Sequence, residues 1–177
     1  MNIILDIVGS LAIRGAIVLV VLQLNVSLHQ TLYLKTATAN VRGNLATMVS
    51  IIEADVRQAG YGVTGTTFLT IDSDDVEFLA DLNNDGTVDT LRYYLNGTSV
   101  YRTVTGSATP VCIGVGLTQF KFEYIDVTGI ATASPETVRS VKFLAAMETN
   151  YEIKQTSDGE SYRPSATVEH QFFPQNL

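Results

Sequence analysis

The chain has 177 residues, 46% of them hydrophobic and 16% charged, with a formal net charge of −7 from 11 basic and 18 acidic side chains. This composition supports a packed domain rather than disorder, and the absence of any lysine or arginine cluster excludes the concentrated positive charge that a nucleic-acid surface requires. One cysteine, Cys112, and two histidines, His29 and His170, exclude an internal disulfide and a thiolate-rich zinc site, and leave no histidine-based metal or catalytic centre to expect.

The first predicted element is a helix of unusual length. Residues 1–34 carry only two formal charges, Asp6 and Arg14, whereas residues 35–177 carry 10 basic and 17 acidic side chains. From Ile3 to Leu28 the run is apolar and, at about 1.5 Å per residue, long enough to cross a hydrocarbon core of roughly 30 Å. A secretory signal peptide fits less well: no basic residue precedes the stretch, it is too long for a signal core, and no small-x-small cleavage site directly follows Leu24. Beyond it, Val41, Leu45, Met48, Ile52 and Val56 recur at steps of four, three, four and four and so share one face, with Arg42, Asn44, Ser50, Glu53 and Arg57 on much of the remainder. Ala59-Gly60-Tyr61-Gly62 ends the pattern, since glycine supplies a natural helix C-cap. The spacing therefore predicts one continuous helix of about 85 Å. Residues 1–34 are its transmembrane or filament-core half, residues 35–60 its amphipathic half, and residues 61–177 form a β-rich head.

Within the head, residues 81–89 read Asp-Leu-Asn-Asn-Asp-Gly-Thr-Val-Asp and reproduce the first nine positions of a calcium loop. Oxygen side chains at alternate positions let one loop wrap a hard cation, and the glycine permits the sharp turn. The expected ligands of a structural calcium ion are Asp81, Asn83, Asp85, the Thr87 carbonyl and Asp89. Position twelve departs from the pattern, with Arg92 where a bidentate glutamate would stand, and the flanks read as strands rather than helices. A polar, Asx-rich turn that needs no metal is the alternative.

The next elements are strands. In LRYYLNGTSVYRTV, Asn96-Gly97 lies between two β-prone runs and predicts a hairpin with a type I′ turn. Cys112, between Val111 and Ile113, is expected to be a small apolar core residue. From Leu117 to Tyr124, Leu117, Gln119, Lys121 and Glu123 alternate with Thr118, Phe120, Phe122 and Tyr124, so the aromatic face is expected to be half-buried and the other mostly polar. Residues 138–144 and 168–172 read as further strands. Short strands joined by turns predict an antiparallel sheet packed on the amphipathic half of the helix, an α+β fold. No nucleophile-elbow, Walker or dinucleotide pattern is present, Gly60-Tyr61-Gly62 being a helix stop rather than a phosphate loop, and no enzymatic activity is expected.

The succession of a long apolar helix, IIEADVRQAGYG, an NDG-type loop leading into LRYYLNGTSVYRTV, PVCIGVGLTQFKFEYIDVTG, VRSVKFLAA and a final FFPQNL resembles the type IV pilin-like class, most closely its minor pilin and J-type pseudopilin members. The resemblance covers nearly the whole chain in order. It implies a subunit that waits in the cytoplasmic membrane and is then extracted by an assembly machinery into a helical polymer, with bundled N-terminal helices inside and heads at the cell surface. The N-terminus is atypical. No glycine-ended leader precedes the apolar run, so the sequence is expected to be a mature chain beginning at Met1 or one that a prepilin peptidase does not process. The family's early glutamate is also absent, with Leu5 and Asp6 in that region; the resemblance implies that Asp6 could serve the same purpose one position later, neutralising a neighbour's terminal amine.

Asp6 and Arg14 are costly in an apolar surrounding unless paired. Eight residues separate them, roughly 12 Å along the axis, so the expected partner of each lies on a neighbouring subunit displaced by that distance; snorkelling of Arg14 with Asp6 at the interface is the competing reading. Two classes of function stay open: a structural subunit of a type IV pilus-like filament, with a minor pseudopilin of a secretion or initiation complex as a variant, or a membrane-anchored calcium-dependent binding module.

Overall fold

No proline occurs before Pro110, so nothing removes an amide donor from the N-terminal third of the chain. In the computed structural model, which describes residues 2–154 and 161–177, helix α1 accordingly runs unbroken over Asn2–Gln58, 57 residues. It stops where expected. Gly60 adopts φ +86°, its amide turns to the carbonyl of Leu79 at 2.9 Å, and the Arg57 carbonyl receives the amide of Gln175 at 3.2 Å. Residues from both ends of the head thus meet at one helix terminus.

Among the described residues the head holds three antiparallel sheets. The first is a meander of five strands in chain order: β1 (Phe68–Ile71), β2 (Asp75–Ala80), β3 (Asp89–Asn96), β4 (Ser99–Val104) and β5 (Val111–Val115). The second, in the order β10-β7-β6, contains β6 (Leu117–Ile125), β7 (Ser140–Glu148) and β10 (Ser165–Phe172). The third is the small pair β8 (Ile153–Lys154) and β9 (Ser161–Tyr162). A 3-10 turn, Pro135–Thr137, precedes β7. Helix α1 lies against β10, β7 and β5, so its lower half seals the seam between the two larger sheets.

The core follows the helical period. Val41, Leu45, Met48, Ile52 and Val56 are all buried, and they join Phe120, Phe122, Phe143 and Phe172 from the second sheet with Phe78, Leu91 and Val100 from the first. At roughly 1.5–3 kcal/mol per buried side chain, the five helix residues contribute about 7–15 kcal/mol to docking the helix on the head. β5 approaches the helix so closely that a Cβ on Gly114 would stand 2.6 Å from the Met48 sulfur. Above Ala37 the situation reverses. Ile3 and the large apolar residues from Ile7 to Tyr33, Ile17 and Leu22 among them, are each at least 50% exposed.

Three local expectations need correction. The β3–β4 hairpin exists, but Asn96 pairs with Ser99 as a strand residue and the two-residue turn is Gly97-Thr98, with a positive φ (+63°) only at Gly97. Glycine at the first central position is the type II′ arrangement, so the turn sits one residue later than a type I′ Asn-Gly turn. In β6, Phe120, Phe122 and Tyr124 are buried as the alternation predicts, yet Leu117 is buried too. A register shift between Leu117 and Gln119 adds one residue to the strand and turns Leu117 to the core face. Cys112 is exposed, not in the core. It stands on the edge strand β5 opposite Tyr101, and Tyr101 stacks on Tyr94 across the outer side of the sheet at 5.6 Å.

Candidate functional site

The upper half of α1 is the most distinctive surface of the molecule. Its most apolar 18-residue window has a mean hydropathy of 2.2, is long and apolar enough to cross a membrane, and buries none of its residues against the head. Soluble monomers rarely expose contiguous apolar patches beyond a few hundred Å². The apolar surface of this helix is compatible with coverage by lipid or by other protein. Asp6 and Arg14 are exposed on it, and neither pairs with another described residue of the chain.

What connects this rod to the head includes a polar tie. Asp55 lies seven residues after Met48 and one before Val56, on the buried face of the helix, and is itself buried. A carboxylate in that place must be matched by donors. Tyr93 Oη, from β3, donates to Asp55 Oδ2, and Arg102 Nε, from β4, donates to the same oxygen at 2.6 Å and to Tyr93 Oη at 3.2 Å. Burial, followed by the Asp55 charge, pushes the Tyr93 phenol well above its ordinary value. Burial pulls the Arg102 guanidinium down, but its hydrogen bond to Asp55 and that carboxylate's charge outweigh the loss and leave it raised. The tie joins the helix to residues 38 and 47 positions away. Local patterns do not announce it; the one signal was the phase of Asp55, a carboxylate at i+7 from Met48 on an otherwise apolar stripe.

A second, exposed junction lies on the same turns of the helix. Glu53 Oε1 accepts from Arg57 Nη2 at 2.6 Å and lies 3.7 Å from His170 Nε2 on β10, where the His170 ring also packs on Phe172 at 5.0 Å. His29 is exposed on the upper helix. Higher up, Tyr33 meets Tyr151, from the loop after β7, with ring centroids 5.9 Å apart.

The 81–89 loop joins β2 to β3, and its shape is set by its own side chains. The amides of Asp85 and Gly86 donate to the two carboxylate oxygens of the buried Asp81, at 3.2 and 2.9 Å. Asp85 N also donates to Asn83 Oδ1 at 3.1 Å, Thr87 N to Asp85 Oδ1 at 2.7 Å, and Asn83 Nδ2 to Asp85 Oδ2 at 2.8 Å. The amide of Thr87 and the Asn83 side chain hold the Asp85 carboxyl below its ordinary value. Asn84 takes φ +57° and Gly86 φ +84° to close the turn. Asp89 begins β3, paired with Ala80, and so belongs to the sheet rather than to the loop's hydrogen-bonded ring. Among the described residues no three His, Cys, Asp or Glu side chains converge as a metal-binding group. A cation here would therefore draw on amide and carbonyl oxygens and water as well as carboxylates, using the second lone pair that each accepting oxygen retains.

No protein-family model matches the sequence, and no curated protein matches it. Among solved structures, a type IV-like pilin from Thermus thermophilus superposes with a TM-score of 0.54 at 16% identity, over 77% of this chain and 97% of the other. The chain is similar to that protein in architecture: one long N-terminal helix carrying antiparallel sheets, a type IV pilin-like α+β fold.

Proposed function

We propose that this chain is a structural subunit of a type IV pilus-like extracellular filament. Before assembly it is held in the cytoplasmic membrane by residues 1–34. After handover to a pilus or secretion assembly machinery, the same helix halves pack against one another inside the polymer, residues 35–60 seat each head, and residues 61–177 face solvent. The role is mechanical, not enzymatic.

One observation carries this reading: a single helix without a break is exposed and apolar in its upper half and is built into the head's core in its lower half. A module that only needs tethering can hang from a flexible linker, whereas a rigid rod shared between two compartments fixes the head relative to its buried end. The Asp55–Tyr93–Arg102 tie and the five apolar helix residues supply that rigidity. Charge agrees with the division, since residues 1–60 sum to +1 and the head, which the filament places outward, to −8. The 81–89 loop is proposed as a calcium site with Asp81, Asn83, Asp85, the Thr87 carbonyl and Asp89 as ligands, stiffening an exposed corner of that outer surface.

Immunogold labelling of native cells with an antibody to the head tests the role. Label along the length of surface filaments supports a repeating subunit, and label confined to filament tips or bases assigns a minor, initiating one. Label dispersed over the membrane with no filaments overturns the reading in favour of an anchored module.

A further inference from the structure

The upper half of α1 presents two unmatched charges on an apolar rod. Asp6 and Arg14 are the only formally charged side chains in residues 1–34, both are exposed, and neither finds a partner among the described residues. Their geometry forbids pairing within the chain. At about 1.5 Å of rise per residue, the eight-residue separation is roughly 12 Å along the axis, and at 3.6 residues per turn the side chains leave the helix about 80° apart. A carboxylate and a guanidinium that both leave water are poorly tolerated singly and much better tolerated together.

Resting on the filament reading, we propose that Asp6 of one copy of this chain pairs with Arg14 of a neighbouring copy displaced by about 12 Å along the helix axis, and that this pair sets the axial stagger of the polymer. The occupant of this helix face is thus a second copy of the same chain, identified by charge complementarity. Because the two groups sit on different faces, each copy offers Asp6 to one neighbour and Arg14 to another. Such a heterologous contact propagates instead of closing into a dimer. In every interior subunit both charges are then matched, Asp6 by the Arg14 of one neighbour and Arg14 by the Asp6 of another, and only the polymer's two ends carry an unpaired one. A register shifted by one helical turn leaves both charges unpaired in an apolar core, so the pair penalises wrong staggers more than it strengthens the right one.

Two experiments on the full-length chain test this. In the first, Asp6→Arg and Arg14→Asp are made singly and together, and the filament yield is measured by sedimentation and microscopy. Each single reversal should lower the yield at least tenfold, and the double swap should restore it to within about twofold of the parent. In the second, Asp6→Cys and Arg14→Cys are combined in a Cys112→Ser background and filaments are oxidised. A ladder of covalent multimers is expected from the double variant, and none from either cysteine alone. Both sites lie outside the packed part of the chain, so the melting temperature of the head should stay unchanged in every variant and separates an assembly defect from misfolding. If the parent forms filaments but single reversals assemble normally, or the ladder comes from Asp6→Cys with Lys35→Cys instead, the pairing is wrong and the filament reading survives. If the parent forms no filaments under any condition, both fall.

Discussion

Replacing Asp55 with alanine should be the most damaging single change in the polar tie between helix and head. Asp55 Oδ2 accepts from both Tyr93 and Arg102, so its removal leaves a guanidinium whose side chain is only 25% exposed and a buried phenol without their shared acceptor. Breaking one side of a buried ion pair typically costs about 3–5 kcal/mol. Arg102 has a path to water, which places this case near the lower end, about 3 kcal/mol, or roughly 10 °C in melting temperature for a domain of this size. Arg102→Ala should cost about 1–3 kcal/mol, because Tyr93 still donates to the carboxylate. Tyr93→Phe should cost only about 1 kcal/mol, since the Arg102–Asp55 bond at 2.6 Å remains. Urea unfolding of the full-length chain in detergent, followed by tyrosine fluorescence, gives all three values, the chain having eight tyrosines and no tryptophan. The Asp55→Ala/Arg102→Ala double variant should show a coupling energy above about 1 kcal/mol. An Asp55→Ala cost below about 1 kcal/mol, or a Tyr93→Phe cost as large as that of Asp55→Ala, would refute the tie as described.

Alkaline pH should weaken the head through its buried phenols. Burial raises both Tyr93 and Tyr124 above the ordinary 10.0, so the unfolded chain loses these protons first. Their contribution is intact below pH 10 and declines above it at up to about 1.4 kcal/mol per pH unit for each phenol, and Tyr93→Phe should make the fall in melts between pH 10 and 11 shallower. Glycine substitutions should separate strain from crowding. Gly60 and Gly97 both have positive φ, but a Cβ at Gly60 would strike the Asn176 backbone carbonyl whereas Gly97 faces open space. Gly60→Ala should therefore cost at least about 1 kcal/mol more than Gly97→Ala, and equal melting temperatures would show that the chain's C-terminal segment does not brace the helix end. For the 81–89 loop, calcium should raise the head's melting temperature and a chelator should reverse the rise, with Asp81→Asn abolishing both effects. A melt indifferent to calcium and chelator alike removes the metal and leaves a hydrogen-bonded turn.

The parts of the fold that were legible in the sequence are those governed by short repeating periods. The helix could be read because Val41 to Val56 repeat at helical spacing and because no proline interrupts them, and the aromatic side of β6 because Phe120, Phe122 and Tyr124 alternate. Irregularities of one residue were not legible. The extra residue near Leu117 and the displacement of the hairpin turn to Gly97-Thr98 depend on which partner strand wins the register, and that is settled by packing across the sheet. Cys112 looked like core because its neighbours are Val111 and Ile113, but β5 is an edge strand and β-branched neighbours do not bury an edge. The site divides in the same way. The apolar half of the helix and its two charges are visible in composition, whereas the acceptor role of Asp55 emerges only when residues 38 and 47 positions away in the chain are folded onto it.

The central claim is that residues 1–34 require lipid or copies of themselves as their solvent. Removing detergent from the purified full-length chain and imaging the product by negative stain tests it most directly. Uniform filaments that sediment, with heads open to protease and the N-terminal segment protected, are the expected product. Discrete particles or amorphous aggregate, with the N-terminal segment as readily cleaved as the head, would contradict it.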